Sequence, residues 1–131
     1  MGARRHHVTL LVAAMLAGGL LAAVPAGSSA TTTKKSAVPN RYGAIAYHRA
    51  SQSWGVSYDT ARERDASVAA LQQCGNRQCE VIHKFKNGCA ALVDGPKAAA
   101  TASGATRDEA ETKALKRCGA DCKPVAWGCT R

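Results

Sequence analysis

The chain has 131 residues, with 18 Lys and Arg against 9 Asp and Glu and a net charge of +9. Such a length leaves room for one domain behind a leader segment and too little for two. The charge favours anionic surroundings such as wall polyanions, lipid headgroups or nucleic acid, but the basic residues are scattered among acids and single out none of these.

The N-terminus carries Arg4 and Arg5 and then the uncharged run "VTLLVAAMLAGGLLAAVPA". A basic start, an apolar stretch and small residues before a cut predict a secretory signal peptide over residues 1–30. "SSA" points to cleavage after Ala30, and "VPA" offers an earlier cut after Ala26. An uncleaved anchor is the rival reading, weakened by Gly18, Gly19 and Pro25 in a run near the lower length limit for a span. Loss of Arg4 and Arg5 lowers the net charge from +9 to +7. Residues 31–41 lack apolar periodicity and read as a flexible tether ahead of a domain over 42–131.

"YGAIAY" (42–47) and "SWGVSY" (53–58) are β-prone runs that predict a hairpin, with Trp54, Val56 and Tyr58 on one face. In "DTARERDASVAALQQCG", Thr60 and Glu63 fit a capping box, Ala66, Ala70, Leu71 and Cys74 recur at helical spacing, and Gly75 suits a helix stop. "EVIHKF" (80–85) predicts a strand. Asn87-Gly88 then predicts a tight hairpin turn, because both residues tolerate positive φ, with "CAALV" (89–93) as the return strand. Two weak strands flank Asp94-Gly95-Pro96. A second helix follows in "TRDEAETKALKRCG", with Thr106 and Glu109 as its capping box and a Glu109–Lys113 pair. "KPVAWGC" (123–129) is the last strand. The two tryptophans are expected in the core.

All six cysteines lie beyond residue 73. An even count in a small exported chain predicts disulfides; zinc is the rival, since Cys74-x4-Cys79 and Cys118-x3-Cys122 fall within the looser ligand spacings. "ALQQCG" and "ALKRCG" repeat one another, so that Ala66, Ala70, Leu71, Cys74 and Gly75 overlay Ala110, Ala114, Leu115, Cys118 and Gly119. Gly88-Cys89 likewise overlays Gly128-Cys129. The expected fold is therefore a small, disulfide-stapled α+β domain: a duplicated β-β-α-β unit, about 42–88 and 89–131, with pseudo-twofold symmetry. Alanine-lined helices bury little apolar area, so covalent pinning is expected to compensate. Among 15 ways of joining six cysteines, the pairs expected are Cys74–Cys79 and Cys118–Cys122 at the helix ends. Cys89–Cys129 is left over, as matching positions meeting on the pseudo-twofold axis.

Taken together, "YGAIAY", "SWGVSY", the capped helix ending in "CG…C", "NGCAAL", "GATRDEAETKAL…CG…C" and "VAWGC" resemble the small exported bacterial domain catalogued as domain of unknown function 4189. The resemblance spans residues 42–130. It implies export, one small mixed α/β domain, cysteine bridges and no established activity, and it carries over no catalytic residues. "KAAATAS" (97–103) departs from it, where an aromatic- and glycine-rich strand is more usual.

No catalytic constellation stands out. His48 and His83 are isolated, the carboxylates show no paired spacing, and no nucleophile elbow, His-Glu-x-x-His helix or phosphate loop is present. No cofactor and no metal are expected. His83, Lys84, Lys86 and Asn87 form the candidate partner-binding tip, a cationic edge suited to an acidic protein or anionic polymer; nucleic acid is not expected, with only six aromatics. The resulting expectation is a secreted or wall-associated monomer acting as a non-enzymatic interaction module. The alternatives are an inhibitor or immunity-type protein, or a small secreted hydrolase using His48 or His83 with an aspartate.

Overall fold

The computed structural model describes Gly27 and residues 37–131. The expected signal peptide and most of the tether lie outside the described residues. Near the domain, Asn40 and Arg41 are tied down: Asn87 Nδ2 donates to Asn40 Oδ1, and Asn87 Oδ1 accepts from the Arg41 amide.

The chain forms strands β1 (Tyr42–His48) and β2 (Ser53–Thr60), helix α1 (Glu63–Cys74) and strand β3 (Glu80–Lys86). Strands β4 (Cys89–Asp94) and β5 (Ala99–Gly104), helix α2 (Arg107–Cys118) and strand β6 (Lys123–Cys129) follow. They build a small α+β domain with two three-stranded antiparallel sheets, ordered β2-β1-β3 and β5-β4-β6. Each sheet carries one helix on its outer face, α1 on β1 and β2, α2 on β4 and β5. No helix among the described residues is long and apolar enough to cross a membrane.

Alternation along the strands divides the core into layers. Ile45, Tyr47, Val56, Phe85, Ala90, Leu92 and Ala126 fill the space between the sheets. On the other face of β1, Ala44 and Ala46 meet Ala66 and Ala70 of α1, all fully buried. Ala91 and Ala110, with Val93, Ala102 and Ala114, make the same kind of contact under α2. Small side chains let each helix lie very close to its sheet. A methyl group added at Gly55 would stand 2.1 Å from the Ala70 carbonyl oxygen. Ser57 uses the same proximity, donating to the Ala66 carbonyl at 2.6 Å and accepting from the Ala44 amide. Gln73 Oε1 accepts from the Val56 amide at 2.7 Å, which satisfies a donor on edge strand β2.

Three disulfides join Cys74 to Cys79, Cys118 to Cys122 and Cys89 to Cys129. The pairing is the expected one, but the reason expected for the third bridge is wrong. Cys89 opens β4 and Cys129 closes β6, directly opposite one another in the same sheet. Their counterparts by strand order in the first sheet are Tyr42 and Lys86. No bridge therefore links one sheet to the other.

Four further expectations are corrected. Asn87 has a positive φ of 50°, yet β3 and β4 do not pair; Asn87-Gly88 carries the chain from one sheet into the next, and each strand finds its partners within its own sheet. Thr60 does not cap α1. Strand β2 runs on to Thr60, whose hydroxyl donates to the Tyr42 carbonyl, so the N-cap falls to Arg62 without a side-chain bond. Trp54 and Trp127 are 42% and 45% exposed, because both sit on edge strands where no layer covers them fully. Leu71 is exposed as well, on the rim of α1 rather than beneath it. At α2 the capping box does form: Thr106 Oγ1 accepts from the Glu109 amide and Glu109 Oε2 from the Ala105 amide. "KAAATAS" supplies β5, which pairs along its whole length with β4.

Candidate functional site

The four residues of the expected binding tip are dispersed by the alternation of β3. His83 faces the second sheet, where Nε2 lies 2.6 Å from Ser103 Oγ and Nδ1 3.1 Å from Thr101 Oγ1. Burial, with the Arg117 charge nearby, holds its pKa below the ordinary histidine value. Lys84 points to the other side and pairs with Glu63 of α1 at 2.8 Å. Asn87 is occupied by Asn40 and Arg41. Lys86 is exposed and makes no ion pair among the described residues. His48 lies at the far end of β1, where Nδ1 contacts Ser51 Oγ at 2.7 Å within a tight turn.

A larger concavity than any at the β3 tip lies elsewhere among the described residues. A cleft of about 600 Å3 opens at the end of the inter-sheet layer, between the start of β2 and the start of β6. Tyr47 and Asp94 form its floor, and Gln52, Trp54, Asp121 and Lys123 stand around its mouth. These positions follow from the topology. Central strands β1 and β4 end near one another, so Tyr47, next to the end of β1, meets Asp94, the last residue of β4. Tyr47 donates its hydroxyl hydrogen to Asp94 Oδ2 at 2.7 Å. Arg49 closes the group from the turn after β1, with Nε 3.1 Å from Asp94 Oδ1 and Nη2 donating to the Gly95 carbonyl at 2.8 Å. Burial and the Asp94 carboxylate push the Tyr47 hydroxyl up to about 12. Partial burial alone would raise the Asp94 pKa; hydrogen bonds from Tyr47, Arg49 and the Gly95 amide outweigh it and hold the carboxyl below its ordinary value. Among the described residues, no three His, Cys, Asp or Glu side chains converge as metal ligands would.

Residues 42–129 match the family described as "Domain of unknown function (DUF4189)". The chain belongs to that family. Uncharacterized proteins of Mycobacterium tuberculosis (Rv1813c) and Mycobacterium bovis (Mb1843c) are 33% identical to it over 88 residues, covering 67% of this chain and 59% of theirs. The chain thus spans less than two thirds of the length of those relatives. The NMR structure of Rv1813c from Mycobacterium tuberculosis is similar in fold, with a TM-score of 0.57 at 28% identity, and the match covers 91% of this chain and 98% of that one.

The DUF4189 domain described here therefore has a cleft that sequence reasoning did not find. From the sequence, Asp94 reads as part of a turn, Trp54 as core and Tyr47 as the end of a strand. The one signal available was the placement of a tyrosine and an aspartate at the ends of the two central strands, which becomes visible only once those strands are known to face each other. Chemically, the floor is locked. Tyr47 holds its proton, Asp94 stays ionised with each oxygen engaged, and neither is poised to move a proton near neutral pH. The mouth is different: among the described residues, the side chains of Gln52, Asp121 and Lys123 make no hydrogen bond or ion pair within the chain.

Proposed function

We propose that the protein is an exported, non-enzymatic interaction module that engages an extracytoplasmic partner. The observation carrying this reading is the Tyr47–Asp94–Arg49 network. The cleft between the starts of β2 and β6 is floored by groups that satisfy one another, an arrangement suited to holding shape rather than to proton transfer. Export is supported by the signal-like segment 1–30 and by three disulfides, which persist in oxidising compartments. The excess of basic residues supplies long-range attraction to an acidic protein or wall polymer, and Lys84 and Lys86 on edge strand β3 are its contact points. His83 and Asn87 act from behind, fixing the strand that presents them.

The two halves, about 42–88 and 89–131, are on this reading copies of one β-β-α-β unit related by a pseudo-twofold axis. Support comes from the matching strand orders and from Ala66 and Ala70 of α1 occupying the places of Ala110 and Ala114 of α2.

The experiment is a pull-down of wall polymers and secreted proteins with the oxidised chain at low and high salt. A partner retained at low salt, released at high salt and weakened by Lys84→Ala/Lys86→Ala is the expected result, because exposed charges are screened beyond about 8–10 Å at ordinary ionic strength. Retention of nothing at low salt sinks the proposal.

A further inference from the structure

We propose that the cleft at the open end of the inter-sheet layer binds a neutral saccharide, with a sugar ring stacked on Trp54 and its hydroxyls hydrogen-bonded by Gln52, Asp121 and Lys123. The inference goes beyond the charge-driven reading above, since it uses the cleft rather than the β3 edge.

Four observations carry it. First, Trp54 is 42% exposed at the rim of a concavity, where it leaves a large apolar face to water. The C–H face of a pyranose covers such a ring without needing to be desolvated as a charge would. Second, the polar groups around that ring are an amide, a carboxylate and an ammonium, and among the described residues none is engaged inside the chain. Together they offer donors and acceptors in the mixture that hydroxyls require.

Third, Asp121 and Lys123 carry opposite charges, so the mouth selects neither an anion nor a cation. Both are also exposed, where ion pairs with a charged ligand gain little. A zwitterionic peptide end is therefore the poorer fit, and stacking with hydroxyl hydrogen bonds dominates. Fourth, Gln52 adopts φ 55° and ψ 23°, a left-handed conformation that glycine, asparagine and aspartate tolerate far better than glutamine does. Here it is the residue that ends the turn Arg49–Ser51, with its backbone amide donating to the Arg49 carbonyl, and it sets a long amide side chain at the cleft. Beneath these groups the Tyr47–Asp94–Arg49 network provides a fixed floor. The volume of about 600 Å3 falls within the ordinary range of ligand sites, about 300–1,000 Å3.

The test titrates the oxidised full chain with cellotetraose, chitotetraose and mannotetraose, following the two tryptophan indole N–H resonances by NMR. At least one sugar is expected to shift the Trp54 resonance saturably while leaving Trp127 in place, with affinity changed less than twofold by high salt. Trp54→Ala should weaken binding at least tenfold. Gln52→Gly relieves the backbone strain, so it should melt no lower than the parent protein and still bind several-fold more weakly; this separates ligand contact from folding. No saturable shift with any of the three sugars overturns the proposal, as does undiminished binding by Trp54→Ala. A response only to a short peptide with free ends, abolished by salt, overturns it too. Salt-sensitive partner capture that survives Trp54→Ala would leave the interaction-module reading standing when the saccharide site fails, so the two failures are distinguishable.

Discussion

Tyr47 Oη lies 2.7 Å from Asp94 Oδ2, joining the next-to-last residue of β1 to the end of β4 across the space between the sheets. The tyrosine side belongs to the buried inter-sheet layer, and the aspartate is also held by Arg49. A hydrogen bond to an ionised acceptor is worth about 1.5–3 kcal/mol when one partner is removed. Tyr47→Phe should cost about that much in chemical unfolding at neutral pH. The sign in alkali follows from the raised hydroxyl pKa. A folded value of about 12 against an unfolded 10.0 means that this stabilisation is complete below pH 10 and is lost as pH climbs toward 12. The gap between the parent protein and Tyr47→Phe should therefore narrow over that interval, and a gap that stayed constant would show that the hydroxyl is not buried against Asp94.

His83 titrates in the opposite sense. Its folded pKa lies below the ordinary value, through burial first and Arg117 second. The unfolded chain therefore takes up the proton more readily, and stability falls as pH drops through the histidine range toward the folded value. Melting temperature should decline between about pH 7.5 and pH 5, and His83→Gln, which keeps a polar contact to Thr101 and Ser103, should flatten the decline. An unaltered slope in the variant would place the acid sensitivity in another group.

Gly55 sets how near α1 can lie to its sheet. Alanine there would put a methyl carbon 2.1 Å from the Ala70 carbonyl oxygen and 2.5 Å from the Cys74 amide nitrogen, both helix backbone. Backbone cannot turn aside as a side chain can, so Gly55→Ala should destabilise by about 3 kcal/mol, the upper end of ordinary overpacking. Urea unfolding measures it. A cost below about 1 kcal/mol would mean that the helix can rise off the sheet freely.

The three bridges should contribute unequally. In the chain-entropy account, closing a loop of 40 residues is worth about 4 kcal/mol and closing one of 4 or 5 about 2 kcal/mol. Cys89→Ala/Cys129→Ala should accordingly lower unfolding free energy about twice as far as Cys74→Ala/Cys79→Ala. Equal losses from the two variants would contradict this ranking.

Local patterns made much of the fold legible. The six strands and two helices were readable from alternation and from alanine spacing, and the cysteine pairing from the short intervals after each helix. What failed was long-range. Asn87-Gly88 reports that the backbone must turn with positive φ, which it does, but not which strand waits on the other side. Thr60 looked like a cap because nothing in its neighbourhood reveals that the Tyr42 carbonyl claims its hydroxyl. From the sequence the tryptophans read as core residues. In the structure, the sheet faces under the helices are paved mostly with alanine, glycine and serine, which hold the helices too close to admit them, while the inter-sheet layer is filled by Ile45, Phe85 and Leu92. The cleft was invisible for the same reason, since its residues come from the ends of four strands, the turns after β1 and β4 and the loop before β6.

The Cys89–Cys129 bridge also decides how the molecule answers a mechanical pull. Tension entering at residue 42 and leaving at residue 129 crosses straight from Cys129 to Cys89 through sulfur. It bypasses nearly everything in their sequence separation of 40. Strand β5, helix α2 and most of β4 and β6 form a closed ring off the load path, so only the first sheet can be drawn out. Oxidised, the domain can lengthen by roughly half of its full contour; a reductant releases the other half.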